Sequence, residues 1–396
     1  MKRFTIALLI VLLAASPRFA AAQQVAPFAP NRFDHLLTGS QVRVAASAGY
    51  GGNSVDLLAI TSTARILNEF MATDVLLIGG LVPGRGNVEL GARGAAGVFT
   101  AIAAGAWHMS VSAEAGSYAA VHLPAAAANL LRQGNVENTT IDTRNLFASG
   151  LVTREIGLAA ARRIALNDLA FAFGANARHV APIVFATGRI DPLHDGPALN
   201  INNDNISAQA DVVHADGRAD GGGYAFDLHA EVITRGVTAS LTLSDLGNVR
   251  VDYRTLHRAV NVQNMSIEDF VQHIDGTVTT QSNESRKLTL PGRIDARVSA
   301  AINPQFSGGM FLHHQYAGDL GAAESALGAT LGWDPGNIGY LRAGLARMNH
   351  ERWAILAGAG LELGHVHFDV ALDADDPPTL ERARTIAIST SFAFRF

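Results

Sequence analysis

The stretch RTIAISTSFAFRF, residues Arg384 to Phe396, alternates in character along its whole length. Ile386, Ile388, Thr390, Phe392, Phe394 and Phe396 fall on one parity. Thr385, Ala387, Ser389, Ser391, Ala393 and Arg395 fall on the other. Successive side chains of a strand point to opposite faces, so the stretch predicts a strand with one fatty face and one small or polar face. Which solvent meets the fatty face then decides the fold.

The pattern recurs along the chain. Residues 224–232 set Tyr224, Phe226, Leu228, Ala230 and Val232 against Asp227, His229 and Glu231. Residues 294–302 set Ile294, Ala296, Val298 and Ile302 against Asp295, Arg297 and Ser299. Residues 365–373 set Val366, Phe368, Val370 and Leu372 against His365, His367, Asp369 and Asp373. Residues 154–178 read as a hairpin around Leu166-Asn167-Asp168. Such strands run to about ten residues, the length a tilted strand needs to cross a bilayer. Charge at mid-strand on one face and fat on the other suits a closed barrel with lipid outside and water inside. A soluble β-sandwich is the competing reading, but it would bury apolar faces only.

Composition agrees. The chain has 396 residues, of which 16% are charged, against about 25% in an ordinary soluble domain. Mean hydropathy is +0.17, yet beyond the N-terminal segment no run of 18 apolar residues predicts a membrane helix. Net charge is −5, which argues against a nucleic-acid partner. There is no Cys, so no disulfide staples the fold.

Residues 1–22 read as a secretory signal peptide. Lys2 and Arg3 precede an apolar run from Phe4 to Ala15, and cleavage is expected between Ala22 and Gln23. Residues 23–150 read as a leader, helical plug or lid segments and the first strands, with residues 54–71 and 124–134 at helical spacing. Residues 151–396 read as the main barrel. Tight turns are expected near 167, 245, 304, 335, 349 and 364, and long polar loops over 182–205, 255–290 and 373–383. Tyr224, Tyr253, Trp333, Tyr340 and Trp353 are expected in the aromatic girdles of such a barrel.

With these residues in view, the chain resembles a family of Gram-negative outer-membrane barrels related to the FadL-like long-chain fatty-acid transporters. The segments carrying the resemblance are residues 154–178, LTLSDLGNVRVDY (241–253), residues 290–318 and the terminal SFAFRF. The resemblance implies an all-β transmembrane antiparallel barrel of about fourteen strands, with an N-terminal plug. It also implies a C-terminal barrel-assembly signal at Phe392, Phe394 and Phe396. The partners expected are outer-membrane lipid, the barrel-assembly machinery and a hydrophobic or amphipathic small molecule carried passively. The alternatives are a scaffold barrel that presents its loops and an outer-membrane hydrolase.

No enzyme motif is present, and the sequence assigns no catalytic, metal or cofactor residue. His365, His367 and Asp369 share a parity and suggest a metal or a proton relay. A lumen lined with hydrogen-bonding groups is the favoured explanation, since barrel interiors are polar in any case. Together with Asp227, Glu231 and Arg297 they are the lumen-facing polar candidates.

Overall fold

The computed structural model describes residues 36–37, 39–52, 87–133, 139–143, 146–193, 199–202, 205–266, 269, 279–336, 338–349, 352–375 and 385–396. The expected signal peptide, the Ala22–Gln23 cleavage site and the helical segment 54–71 lie outside the described residues. In chain order the elements are β1 (Gln41–Gly52), β2 (Val88–Ala104), β3 (Trp107–Leu123), α1 (Ala125–Gln133), β4 (Thr139–Ile141), β5 (Phe147–Leu166), β6 (Leu169–Pro192), β7 (Leu199–Asn202), β8 (Asn205–Arg218) and β9 (Asp220–Thr234). They continue as β10 (Val237–Ser266), β11 (Thr280–Thr289), β12 (Arg293–Ala301), β13 (Phe306–Gln315), β14 (Glu324–Trp333), β15 (Gly339–Met348), β16 (Arg352–Leu363), β17 (Val366–Asp375) and β18 (Thr385–Arg395).

The pairings close into a ring: β1–β2–β3–β5–β6–β9–β10–β12–β13–β14–β15–β16–β17–β18 and back to β1. That is a closed antiparallel barrel of 14 strands. Gln41 opposite Arg395 and Gly51 opposite Thr385 make the closing seam between β1 and β18. Closure of the ring gives each of its fourteen strands a neighbour on both sides, the condition for placing strands in hydrocarbon. β8 runs into β9 through Ala219, and β11 into β12 through residues 290–292, so each couple is one long stave. β1 to β3, before residue 151, are staves of the same barrel.

One rim carries tight turns. Asn167 (φ 52°), Gly236 (φ 77°) and Gly364 (φ 61°) sit at hairpin tips in the left-handed region that short hairpin connections require. The other rim carries the longer connections and α1. Among the described residues no helix is long and apolar enough to cross a membrane.

Burial runs inside out relative to a soluble sheet. On β18, Ile388, Phe392 and Phe394 are 47–49% exposed, while Ser389, Ser391 and Thr385 are 2–3% exposed. The fatty parity therefore faces outward and the small or polar parity faces the lumen. The same holds on β3, β5, β9, β13, β14, β16 and β17.

One half of the wall inverts this rule above a defined height. On β10, Val237 and Leu241 face out, while Thr242 and Ser244 face in. The register to β9 then shifts between Leu243 and Leu246, and Asp245 adopts φ 59°. One extra residue exchanges the two faces of everything beyond it. Above the bulge Val249, Val251 and Tyr253 are buried in the lumen, and Arg250, Asp252 and Arg254 take the outside. β6 does the same at Ile183, which has no partner in the register between Thr153–Pro182 and Val152–Val184. Below it Asn176 and Arg178 face in; above it Phe185 and Thr187 do. The barrel on this side thus has a lower storey that is apolar outside and an upper storey that is polar outside.

Several sequence expectations change accordingly. Residues 244–248 are not a turn: β10 continues through them, and the change of phase is a bulge. Residues 182–192, 199–202, 255–266 and 280–289 are strand, not loop. Their polar composition reflects an outer face above the bilayer, which alternation with an apolar outside does not describe. Tyr253 belongs to the lumen, 6% exposed, not to a girdle. Outside the upper storey, α1, β4 and β7 pack Ala127, Ala128, Ile141, Leu199 and Ile201 against Val88, Leu123 and Ile190.

The storeys respond differently to charge. Leu327→Arg, on the lipid face in the middle of β14, is expected to lower stability in lipid vesicles by about 2–4 kcal/mol. Arg254→Ala, on the outer face of the upper storey, is expected to change it by no more than about 0.5 kcal/mol. Urea unfolding of the two variants checks both, and equal effects would contradict the division.

Candidate functional site

The inner face at the height of the bulges is crossed by an ionic network. Arg178 on β6 is fully buried and pairs with Glu155 on β5, Asp227 on β9 and Asp245 on β10. Asp245 also receives Arg93 from β2 at 2.6 Å and Arg293 from β12 at 2.9 Å. Asn176 donates to Asp227 at 2.7 Å, and the Asp245 backbone N–H donates to Asp227 at 2.8 Å. Glu155 accepts from the Tyr118 hydroxyl at 3.2 Å and from Thr153 at 2.9 Å. The Arg93 guanidinium lies over the Tyr118 ring, 5.2 Å from its centroid. Three guanidinium groups thus meet three carboxylates, so the cluster is neutral when all are ionised.

The bulge creates this network. It turns the Asp245 side chain inward on a strand whose inner positions below it are Ser240, Thr242 and Ser244. Arg93 reaches Asp245 from β2, across the lumen, so on this side the lumen is barred by side chains. Charges buried this deeply are stable only while fully paired.

Above the network the lumen turns apolar. Leu151, Val180, Phe185, Val249, Val251, Tyr253, Leu288 and Leu290 form one cluster with Leu320. Phe185 meets Tyr253 edge to face with centroids 4.6 Å apart. Leu320 comes from the β13–β14 connection, which folds inward. Asp319 there accepts the Ser149 hydroxyl on its carbonyl at 2.5 Å and pairs with Arg286 at 2.8 Å. Higher still, above the apolar outer band, Glu284 accepts from the Tyr253 hydroxyl at 3.1 Å and pairs with Arg189 at 3.2 Å. Burial alone would push the Glu284 carboxyl up, but Arg189, Tyr253 and Thr255 together hold it below its ordinary range. A second apolar patch on the inner wall joins Phe311, Met348, Ala354 and Leu356 of β13, β15 and β16.

The residues singled out in the sequence separate into distinct places. Asp227 is in the ionic network. Glu231 and Arg297 are half-buried and lie in one row, each opposite Ser240 on β10. His367 and Asp369 lie on the inner parity near the tight-turn rim. His367 Nε2 is 2.8 Å from Asp369, which also binds Arg43 at 2.9 Å and Ser391 at 3.0 Å. His367 Nδ1 is 3.0 Å from Glu362. His365 is exposed in the hairpin turn with its ring 5.9 Å from that of Phe394, so it does not join His367 and Asp369. The turn separates what the i, i+2, i+4 spacing aligns. Among the described residues no group of three or more His, Cys, Asp and Glu has the arrangement to hold a metal ion. Phe392, Phe394 and Phe396 are 47–63% exposed on the outer wall.

Arg93, Tyr118, Glu155, Arg178, Asp245 and Arg293 were not among the sequence candidates. A signal existed for two of them: Glu155 and Arg178 fall on the parity opposite Ile156, Leu158, Phe171 and Phe173, in mid-strand. Asp245 gave none, because its neighbours read as a turn.

No protein-family model and no curated protein sequence matches the chain. Solved structures do. A toluene transporter of Ralstonia pickettii, TbuX, superposes with a TM-score of 0.53 at 10% identity over 90% of each chain. The Pseudomonas putida toluene transporter TodX gives 0.51 at 10% identity over 93% of this chain and 91% of its own. A Pseudomonas aeruginosa FadL homologue gives 0.51 at 10% identity over 96% and 99%. At that identity the likeness is one of fold, and it spans the whole barrel.

Removing the shared cation tests the network. Arg178→Met is expected to lower the unfolding free energy in vesicles by about 3–5 kcal/mol, because it removes the one cation shared by Glu155, Asp227 and Asp245. Arg235→Met, which breaks only an exposed pair with Asp168, is expected to cost less than about 1 kcal/mol. A cost for Arg178→Met as small as that for Arg235→Met would mean the network is hydrated and loose.

Proposed function

We propose that this chain is an outer-membrane barrel that passes small hydrophobic molecules into the cell envelope by diffusion. The observation that carries the reading is the lining of the upper lumen: an apolar cluster seated directly on an ionic bar. A water-filled pore needs a polar lining from rim to rim. Here the Phe185–Tyr253 contact and the surrounding Val and Leu side chains offer a guest a place outside water. The likeness in fold to structures described as toluene transporters supports a guest of that size and polarity.

The chemistry required is partitioning. Apolar surface leaves water with a gain of about 25 cal/mol per Å², so a monoaromatic ring gains enough to enter and too little to be trapped. Modest affinity is what a conduit needs, since a site that binds tightly does not release. Straight descent meets Arg93, Arg178 and Arg293 with their carboxylates, which a hydrocarbon cannot solvate. Sideways, the ladder between β10 and the β11–β12 stave is interrupted at residues 290–292. There Pro291 has no N–H to donate, and one bond, Leu290 N–H to the Gly247 carbonyl at 3.1 Å, spans the junction. Lateral release at this junction delivers the guest to hydrocarbon.

Uptake of toluene into proteoliposomes tests the reading. The wild type is expected to speed uptake over protein-free vesicles. Val251→Trp, which fills the upper lumen at an overpacking cost of about 1–3 kcal/mol, is expected to abolish most of that gain while the barrel stays folded. Uptake unchanged by Val251→Trp would remove the apolar cluster from the route.

A further inference from the structure

The outer wall beside the Asp245 bulge holds a groove of about 680 Å³. Tyr224, Phe226 and Leu246 line its lower part; Arg250, Ser285 and Lys287 line its upper part. Gly222, Gly223 and Gly247 lie between them and leave the floor without side chains. The groove sits where the outer face of the wall changes from apolar to polar. Phe226 and Leu246 are 49% and 37% exposed on the fatty side of that boundary.

Its upper edge contains an unfavourable pairing. Arg250 and Lys287 are direct cross-strand partners on β10 and β11, and both point outward. Like charges directly opposite one another destabilise a sheet. Arg250, which lines the groove, is partly relieved: its Nε donates to Asp252 at 3.0 Å and to Ser285 at 2.9 Å. Lys287 has no carboxylate partner among the described residues. Next on the same outward parity of β10 come Asp252, which pairs with Arg250, and then Arg254, so cations outnumber acids along this row. An anion from outside the chain would relieve the opposed cations.

We propose that this groove binds one lipid of the surrounding leaflet whose phosphate headgroup carries a net negative charge. The phosphate sits between Arg250 and Lys287, and an acyl chain runs down over Tyr224, Phe226 and Leu246. A free phosphate ion would satisfy the upper half alone and leave the apolar floor in water. A lipid satisfies both halves, and the position at the polar boundary is where its headgroup already lies. The site is on the outside of the wall, so it is separate from the lumen and from any molecule that passes through it.

Native mass spectrometry of the whole barrel in neutral detergent tests this, with phosphatidylglycerol, phosphatidylcholine and inorganic phosphate as probes. The wild type is expected to retain phosphatidylglycerol about tenfold better than phosphatidylcholine. Arg250→Gln with Lys287→Gln is expected to equalise the two lipids. Lys287→Glu, which turns the repulsive pair into an attractive one, is expected to lose the preference while raising the unfolding temperature, so folding and binding are read apart. Equal preference in the wild type and the Gln double variant would overturn the proposal. So would complete displacement of phosphatidylglycerol by millimolar inorganic phosphate, which would make the groove an ion site only.

Discussion

The structure depends on where one carboxylate is held. Asp245 is fully buried with a left-handed backbone, and it is met by Arg93, Arg178 and Arg293. A left-handed conformation at a non-glycine residue is tolerated when its surroundings over-determine it, and three guanidinium groups do so here. The bulge brings the carboxylate inward, and the carboxylate in turn fixes the bulge. Because strand faces have a period of two, that single inserted residue also decides that Val249 and Val251 line the lumen while Arg250 and Asp252 meet water.

Two consequences follow from one device. Inside, on this side of the lumen, an apolar space rests on an ionic bar, and the proposed route for apolar guests is read from that lining. Outside, the apolar belt stops at the bulge, and the wall above it is polar enough to stand clear of hydrocarbon. β12 to β18, of 9–12 residues, fit the length that crosses a bilayer. β5, β6 and β10, of 20, 24 and 30 residues, rise past it and build the upper storey.

The barrel was legible in the sequence because its lower storey obeys one simple rule. Ile388, Phe392 and Phe394 against Ser389 and Ser391 state that rule in a single strand, and β9, β12 and β17 repeat it. The upper storey was not legible, because there the rule reverses without any change in composition at the turning point. Ser244 to Asn248 has the residues of a tight turn, and only its pairing to β9 shows that it is a bulge. The ionic network was hidden for a related reason. Its members come from β2, β3, β5, β6, β9, β10 and β12, and nothing in their spacing tells that side chains from so many strands converge around Arg178 and Asp245. His365 shows the opposite error: correct parity, but a position inside a turn, where parity no longer assigns a face.

The change of phase at Asp245 is the central claim, and the chain lends itself to a direct measurement because it has no native Cys. Single cysteines along β10 from 237 to 254, each carrying a nitroxide label, report collisions with oxygen in lipid and with a nickel chelate in water. The account expects labels at 239 and 241 to be oxygen-accessible, labels at 249, 251 and 253 to be shielded from both reagents, and labels at 250, 252 and 254 to be accessible to the chelate. A two-residue period that keeps one phase from 237 to 254, with odd positions in lipid throughout, would contradict it.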